Sequence, residues 1–341
     1  MDQTALAPQR VAEQFLGNPV DSVERVSGGG NNGVYKITAG QESFALKFYR
    51  TDEGDDRDRL GTEIKAVQFL QANGTTNVPA YVNHNTEVNA ALFQWISGSH
   101  VTSPTSDDFK AATTFAKQLN ELSPKQELED WALASDACLS LSDVTNQTEE
   151  RFGRLMGENS LASECRDFLR NEFLGSYEEI KAQQLEKAAA LGLDPASPID
   201  PSAYILSPSD FGFHNALKTE SGELVFLDFE YFGWDAPFKL VCDFILHPGM
   251  NLPESGWGTF INDFSEVYGL DETGKNQIAI ALPLFALRWC MIMLNVYLRN
   301  DGDIGLADTD RTELDNFRKT RLENTGHMLE RARSLNRSKS N

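Results

Sequence analysis

Basic residues are scarce in this chain, and cysteine is scarcer still. The 341 residues include 30 lysines and arginines against 51 aspartates and glutamates, which gives a formal net charge of −21 at pH 7. Such a surface repels the phosphate backbone of nucleic acids, so we expect no nucleic-acid partner. The four cysteines, Cys138, Cys165, Cys242 and Cys290, are scattered without metal-ligand spacing, which argues against a metal cluster or a disulfide scaffold and fits a reducing cytoplasm.

Targeting and membrane signals are also lacking. The initial segment MDQTALAPQRVAEQFLG has neither the basic start nor the apolar core of a signal peptide, so we expect a cytoplasmic location. One apolar run, residues 278–297, is long enough to span a bilayer, but it contains Pro283, Arg288 and Asn295. An arginine in mid-span is costly in lipid, which favours a buried core helix and no membrane partner.

The length of the chain predicts two domains or lobes. Alternation of apolar and polar residues predicts strands at 20–26, 33–39, 43–49, 79–84 and 90–96. Helical spacing predicts helices at 1–18, 57–72, 106–122, 143–156 and 161–191, and short strands are predicted at 204–206, 216–219 and 224–229. We therefore expect a small sheet lobe over residues 1–97 and a larger, mainly helical lobe over residues 98–341.

A run of glycine and asparagine lies between the first two predicted strands, in VSGGGNNGVYKI. It consists of Gly28, Gly29, Gly30, Asn31 and Asn32. Glycine lets the backbone approach a ligand closely, and successive free N–H groups bind phosphate oxygens. Glycine runs are common, however, so this segment taken alone favours an ordinary flexible hairpin.

Lys47 and Glu63 strengthen the case for a nucleotide site. Lys47 lies on the third predicted strand, on the face opposite Phe44 and Leu46, where a lone lysine would usually face solvent. Glu63 falls inside the apolar stripe of the next predicted helix. A carboxylate there is desolvated and needs a cationic partner, and Lys47 is the available one.

Oxygen ligands are concentrated in SPSDFGFHNALKTESGELVFLDFEYFG, residues 207–233. Asp210 and Asn215 lie among turn formers, and we expect Asp228 to end a strand. A hairpin at KTESGE would place Asn215 beside Asp228, which supplies the hard oxygen ligands that Mg²⁺ prefers. Asp210 would stand apart, where it could orient an incoming hydroxyl and accept its proton. A solvated loop would explain each of these residues taken separately, but it does not explain why all of them occur in this order.

The order of these residues resembles the aminoglycoside phosphotransferase and choline kinase-like family, which has the protein-kinase-like fold. The resemblance covers most of the chain and is strongest at GGGNNGVYKI, FALKF, SDFGFHNAL and FLDFEYFGWDAPFKLVCDF. It implies an α+β, two-lobed fold, ATP and Mg²⁺ as cofactors, and transfer of the γ-phosphate to a small-molecule hydroxyl. The acceptor is left open among sugars, amino alcohols and aminoglycosides. The segment FQWI, residues 93–96, matches the part whose backbone meets adenine, which implicates Gln94, Trp95 and Ile96.

The resemblance also implies a role for each matching side chain. Lys47 matches the strand lysine that binds phosphates, and Glu63 matches its helix partner. Asp210 matches the catalytic-loop aspartate. Asn215 and Asp228 match the metal ligands.

The catalytic loop departs from the family pattern. The family usually reads like HGDLHPGN, whereas this chain reads PSDFGFHN. Pro208 and Gly212 replace the two histidines that flank the aspartate, and His214 lies beside Asn215 instead. The departure indicates a divergent subfamily. It also motivates a rival hypothesis, a catalytically silent kinase-like regulator that binds a nucleotide without transferring phosphate.

Overall fold

The computed structural model describes residues 8–26, 32–51, 57–250, 252–298 and 311–337. The chain divides into two compact units. Unit 1 comprises Met1–Gln118 and Pro208–Gly233, and unit 2 comprises Leu119–Ser207 and Trp234–Asn341. The segment with the predicted oxygen ligands therefore belongs to the same unit as the N-terminal sheet. The lobe boundary expected near residue 97 stays a prediction.

A five-stranded antiparallel sheet forms the centre of unit 1, in the order β1-β2-β3-β5-β4. Its strands are β1 (Ser22–Arg25), β2 (Gly33–Ala39), β3 (Glu42–Phe48), β4 (Tyr81–Asn85) and β5 (Ala90–Gln94). All five predicted strands are present, and their ends differ from the predicted ones by at most two residues. Gly40 joins β2 to β3 with a φ of +62°, a left-handed conformation that glycine adopts without steric cost.

Two helices lie on the sheet of unit 1, α1 (Pro8–Leu16) and α2 (Arg59–Ala72). Val11 and Ala12 of α1 are buried in one core cluster with Phe44 and Leu46 of β3. Side chains alternate between the two faces of a strand, so Lys47 points to the opposite face. The helix α2 begins after Asp58, whose carboxylate accepts a hydrogen bond from the N–H of Gly61 and so caps the first turn.

Unit 1 also contains a three-stranded sheet in the order β6-β8-β9. Its strands are β6 (Ser99–His100), β8 (Ala216–Lys218) and β9 (Leu224–Phe226). The hairpin of β8 and β9 was predicted, but β9 ends at Phe226 rather than extending to Asp228. The backbone N–H of Leu227 still donates to the carbonyl of Asn215 at 2.8 Å. At Asp228 the backbone turns left-handed, with a φ of +66°, so the expectation that this residue ends a strand is wrong.

The helix α3 (Ser106–Leu122) has the predicted bounds, and its part in unit 1, up to Gln118, packs against the ligand-rich segment. The ring of Phe115 contacts those of Phe211 and Phe226, with centroids 5.8 and 4.5 Å apart. It also lies 6.2 Å from the ring of Phe229. This aromatic cluster buries a large apolar area and holds the segment around Asp210 near the segment around Asp228.

Unit 2 is mainly helical. Its helices are α4 (Leu141–Gly157), α5 (Ser163–Phe168), α6 (Leu174–Ala190), α7 (Pro237–Leu246), α8 (Trp257–Val267), α9 (Glu272–Leu294) and α10 (Arg311–Arg337), with a two-stranded sheet of β7 (Ile205–Ser207) and β10 (Gly233–Asp235). The helix predicted over 161–191 is interrupted by a π-helical turn, Leu169–Phe173. With an N-terminal antiparallel sheet and a mainly helical remainder, the predicted α+β class is confirmed.

The helix α9 forms the centre of unit 2 and packs against α4, α6, α7 and α10. Among the described residues it is the one helix that is long and apolar enough to cross a membrane, and 83% of its most apolar window is buried inside the protein. Arg288 within it is buried and bonded to Asp243 at 3.2 Å. These features are those of the buried core helix that the sequence indicated.

Candidate active site

Lys47 is the centre of the candidate site in unit 1. Its ammonium group donates to Oε2 of Glu63 and to Oδ1 of Asp228, each at 2.6 Å, and lies 3.4 Å from Oε2 of Glu230. Burial lowers the pKa of Lys47, but the charges of these three carboxylates outweigh burial and hold the pKa above its usual range. Lys47 is therefore a permanent cation shared between α2 and the segment after β9.

Glu63 is buried and fully engaged, as expected for a carboxylate inside an apolar stripe. Its Oε2 accepts from Lys47 and from the hydroxyl of Tyr49, each at 2.6 Å. Its Oε1 accepts from the backbone N–H of Phe229 at 3.3 Å. These bonds compensate the desolvation of the carboxylate and fix α2 against β3. The ion pair predicted from the sequence is present.

Asp228 combines a buried environment with an accessible face. Its side chain retains 30% exposure, compared with 3% for Glu63. Burial raises the pKa of Asp228 to about 7; Lys47 lowers the pKa, whereas the charges of Glu230 and Glu63 raise it further. The protein therefore neutralises the negative charge of ionised Asp228 only in part, which suits a residue that binds a cation.

Three carboxylates converge near Lys47. Glu63, Asp228 and Glu230 each place one oxygen within 4.8 Å of the others. Lys47 and Arg59 are the cations bonded to them, and Arg59 donates to Oε1 of Glu230 at 3.3 Å. Within the part of the chain that the structure describes, three carboxylates against these two cations leave one negative charge in excess. Excess negative charge beside the accessible carboxylate of Asp228 fits a divalent cation such as Mg²⁺.

Asp210 and Asn215 are adjacent in the loop between β7 and β8. The side-chain amide of Asn215 donates to the carbonyl of Asp210 at 3.0 Å and to its Oδ2 at 3.2 Å. Nε2 of His214 lies 2.9 Å from Oδ1 of Asp210. A carboxylate only accepts, so this contact assigns the ring proton to Nε2. The amide nitrogen of Asn215 is occupied by Asp210, which leaves its oxygen to serve as a ligand.

The segment predicted to meet adenine leaves the sheet at the end of β5. The backbone N–H of Gln94 donates to the carbonyl of Ala80 at 2.7 Å, and that of Trp95 donates to Ser43 at 3.0 Å. Ile96 follows outside the strand. Contact of these residues with adenine stays a prediction. Of the glycine–asparagine run, Gly28, Gly29, Gly30 and Asn31 lie outside the described residues.

The sequence interpretation missed four residues of this site: Glu230, Arg59, Tyr49 and His214. Glu230 is buried at 2% exposure and accepts from Asn32 at 2.5 Å as well as from Arg59. Tyr49 supports Glu63. The sequence shows that His214 lies beside Asn215 instead of at the usual histidine positions, but it does not indicate the contact of His214 with Asp210. For Glu230 a signal existed, because an acidic residue stands among aromatic residues in FEYF, the same anomaly that identified Glu63.

The assembled groups are suited to the chemistry of a phosphorylated, metal-bound ligand. A buried lysine supplies a fixed positive charge, and the excess of carboxylate oxygens offers a place for a divalent cation. Asp210, with 34% of its side chain exposed, is an accessible carboxylate next to the amide of Asn215. Such a set can hold phosphate oxygens, a cation and a proton acceptor within one unit of the protein.

Comparison with known proteins places the chain in a family. The pattern of the phosphotransferase enzyme family matches residues 22–277. No curated protein sequence matches the chain.

Solved structures of low sequence identity share the fold. A spectinomycin phosphotransferase in complex with ADP and spectinomycin has a TM-score of 0.64 and 14% identity, over 98% of this chain and 99% of that one. A choline kinase from Streptococcus pneumoniae has a TM-score of 0.58 and 16% identity, over 94% and 98%. An ethanolamine kinase from Plasmodium vivax has a TM-score of 0.57 and 15% identity, over 98% and 86%. By its sequence pattern and its kinase-like fold, the chain belongs to the phosphotransferase enzyme family.

Proposed function

We propose that this protein transfers the γ-phosphate of Mg·ATP to a hydroxyl group of a small molecule. The observation that carries the proposal is the position of Lys47, whose ammonium group bonds at 2.6 Å both to Glu63 and to Asp228. This arrangement places a cation that would bind phosphate next to a carboxylate whose negative charge the protein neutralises only in part. Nucleotide complexes of the structural neighbours, with ADP or AMP, support nucleotide use.

Each side chain has a defined task in this reaction. Lys47 would bind phosphate oxygens and stabilise their charge, with Glu63 keeping its ammonium group in place. The amide oxygen of Asn215 and the carboxylate of Asp228 would hold Mg²⁺. When bound, the cation neutralises charge on the transferred phosphate. Asp210 would orient the acceptor hydroxyl and accept its proton.

The altered catalytic loop retains the groups that this task requires. His214 donates to Oδ1 of Asp210, and Asn215 donates to Oδ2, so both oxygens of the carboxylate are oriented. His214 thereby supplies a support for Asp210 that Pro208 and Gly212 cannot. Membership of an enzyme family also speaks against the rival hypothesis of a silent regulator.

The acceptor is proposed as a class. Neighbours of this fold are named for spectinomycin, choline and ethanolamine, all of which carry hydroxyl groups. The proposed acceptor is therefore a small hydroxyl compound, taken from sugars, amino alcohols and aminoglycosides. The cytoplasmic location and the two-lobed division, with residues 1–97 as the nucleotide-binding lobe, complete the proposal.

A combined binding and turnover experiment tests the proposal. Calorimetric titration measures binding of Mg·ATP, and an ATP-consumption assay measures turnover on a panel of the three acceptor classes. We expect binding by the purified protein and turnover on at least one class. Nucleotide binding without turnover on any member would favour the silent regulator, and absence of binding would contradict both hypotheses.

A further inference from the structure

A hydrogen bond joins two segments of the proposed site that are 198 residues apart in sequence: Nδ2 of Asn32 donates to Oε2 of Glu230 at 2.5 Å. Asn32 is the last residue of the glycine–asparagine run and directly precedes β2. Glu230 lies two residues after Asp228. The bond therefore ties the point where the run enters the sheet to the segment of the proposed metal ligand.

Both side chains have further partners that fix their orientation. Oδ1 of Asn32 accepts from the backbone N–H of Arg50 at 3.2 Å, and Oε1 of Glu230 accepts from Arg59 at 3.3 Å. An amide is suited to this place, because it accepts with its oxygen while it donates with its nitrogen. Glu230 is 2% exposed, so its carboxylate depends on these donors and on Lys47 in place of water.

We propose that Asn32 and Glu230 are positioning residues for Mg·ATP, an inference that rests on the proposed function. Their hydrogen bond holds the start of β2 and the Asp228 segment in the arrangement that binds the nucleotide and its cation. Arg59 and Asn32 occupy the two oxygens of Glu230. We therefore assign Glu230 to orienting its neighbours, and the metal ligands stay those of the proposed function, Asn215 and Asp228.

Exchange of the two groups provides the test. In the double variant Asn32→Asp/Glu230→Gln, the amide and the carboxylate trade places and the total charge is unchanged. The hydrogen bond between the two side chains is retained with its direction reversed, and Arg50 and Arg59 both still meet an oxygen. Asn32→Asp alone places two carboxylates face to face. Glu230→Gln alone removes the charge that Arg59 and Asn32 share.

The measurement is the dissociation constant of a non-hydrolysable ATP analogue, with and without Mg²⁺, by calorimetry at a temperature where every variant is folded. We expect each single variant to weaken Mg²⁺-dependent binding by about 10- to 100-fold, the usual effect of residues that orient ligands of a metal. The exchange variant should recover most of the binding that Glu230→Gln loses, because the bonds to residue 32, Arg50 and Arg59 are restored. The 3.4 Å contact with Lys47 is lost equally in both of these variants and so cancels from the comparison. The exposed Glu42 of β3 supplies a matched control, since Glu42→Gln should leave binding unchanged.

Each other outcome overturns the inference in a distinct way. If Glu230 is a metal ligand, the exchange variant stays as weak as Glu230→Gln in the presence of Mg²⁺. If all three variants bind as the wild type does, the hydrogen bond has no positioning role. If the wild type binds no nucleotide, the proposed function fails first, whereas the preceding two results leave it intact.

Discussion

Two lysines among the described residues are buried among carboxylates, and they differ in what surrounds them. Lys47 in unit 1 bonds to Glu63 and Asp228. Lys239 in unit 2 lies on α7, 3.1 Å from Asp235 and 3.3 Å from Asp243. Each cluster thus contains a lysine with two close acidic partners.

The two clusters differ in charge balance. Around Lys239, the cations Lys239, Arg288 and Arg151 meet three carboxylates, those of Asp235, Asp243 and Asp136. Among the described residues, the cluster of Lys47 has three carboxylates and two cations bonded to them, Lys47 and Arg59.

They differ in exposure as well. The two acidic partners of Lys239, Asp235 and Asp243, are 0% and 10% exposed, whereas Asp228 beside Lys47 is 30% exposed. The exposed carboxylate of the Lys239 cluster, Asp136 at 42%, pairs with Arg151 and Arg288 instead of the lysine. A cluster with balanced charges and a lysine whose acidic partners are buried needs no ligand and holds helices together. An unbalanced cluster with an open face is completed by a ligand from solution. The comparison separates a structural buried lysine from one suited to binding.

The largest effect is expected at Asp210, which belongs to the candidate site in unit 1. Asp210→Asn should lower kcat by about 10²- to 10⁴-fold, the contribution typical of a general base. Affinity for Mg·ATP and the midpoint of thermal unfolding should change little, because the amide preserves the shape of the side chain. Steady-state kinetics and calorimetry measure the two quantities, with the exposed Asp107→Asn on α3 as the control. Unchanged turnover would remove Asp210 from the proposed mechanism.

In the balanced cluster around Lys239, we expect a substitution to change the free energy of unfolding instead of the activity. Lys239→Met leaves two buried carboxylates without their ammonium partner, which we expect to lower the free energy of unfolding by about 3–5 kcal/mol. Lys47→Met should cost less, because Asp228 reaches solvent and Glu63 keeps its bonds to Tyr49 and Phe229.

Urea denaturation of both variants measures this difference. Lys117→Met, at an exposed position of α3, is the control and should stay within about 0.5 kcal/mol of the wild type. A larger loss for Lys47→Met than for Lys239→Met would contradict the distinction between the clusters.

The sequence predicted those parts of the site that local patterns encode. Period-2 alternation placed Lys47 opposite the core, and a carboxylate inside an apolar helical stripe singled out Glu63. The family spacing then placed Asp210 and Asn215 in one loop. These features depend on residues that are close in sequence or lie on a regular element.

Features that depend on distant partners, or on very short elements, were not predictable in this way. The contacts of Glu230 with Asn32 and Arg59 span 198 and 171 residues and follow no periodicity. The strands β6 and β10, of two and three residues, are too short to show an alternation. The π-helical turn inside the predicted helix 161–191 keeps an apolar spacing close to that of an α-helix.

A smaller effect is expected at Tyr49. This prediction tests whether the hydroxyl group of Tyr49 stabilises Glu63 directly or whether Tyr49 contributes only the packing of its ring. Tyr49→Phe removes the hydroxyl that donates to Oε2 of Glu63 at 2.6 Å and leaves the ring in place over Lys47. Loss of one hydrogen bond to a buried carboxylate should lower the free energy of unfolding by about 1.5–3 kcal/mol. Tyr35→Phe, on the neighbouring strand β2, serves as the control in urea denaturation. Equal stability of the two variants would mean that Lys47 and Phe229 suffice for Glu63.

The smallest effect is a pH dependence with opposite signs in the two clusters. In the folded protein burial raises the pKa of Asp228 to about 7, above the value near 4 of an unfolded chain. The folded state then binds the extra proton between about pH 4 and 7, so this group makes the protein more stable as the pH falls through that window. In the balanced cluster, burial raises the pKa of Asp136, but the charges of Arg151 and Arg288 outweigh burial and lower this pKa. The contribution of Asp136 to stability is therefore present at a pH above the pKa of the unfolded chain. It is lost as the pH falls through the lower pKa of the folded protein.

Thermal unfolding of the nucleotide-free protein between pH 5 and 8 tests these signs. The stability difference between the wild type and Asp228→Asn should shift in favour of the wild type on acidification, by at most about 1.4 kcal/mol per pH unit. Asp136→Asn should show no such shift over the same range, because the carboxyl of Asp136 stays ionised there. A difference for Asp228→Asn that is independent of pH would mean that Lys47 already compensates this carboxylate in full, and the cluster would then lack the excess charge that a cation is expected to neutralise.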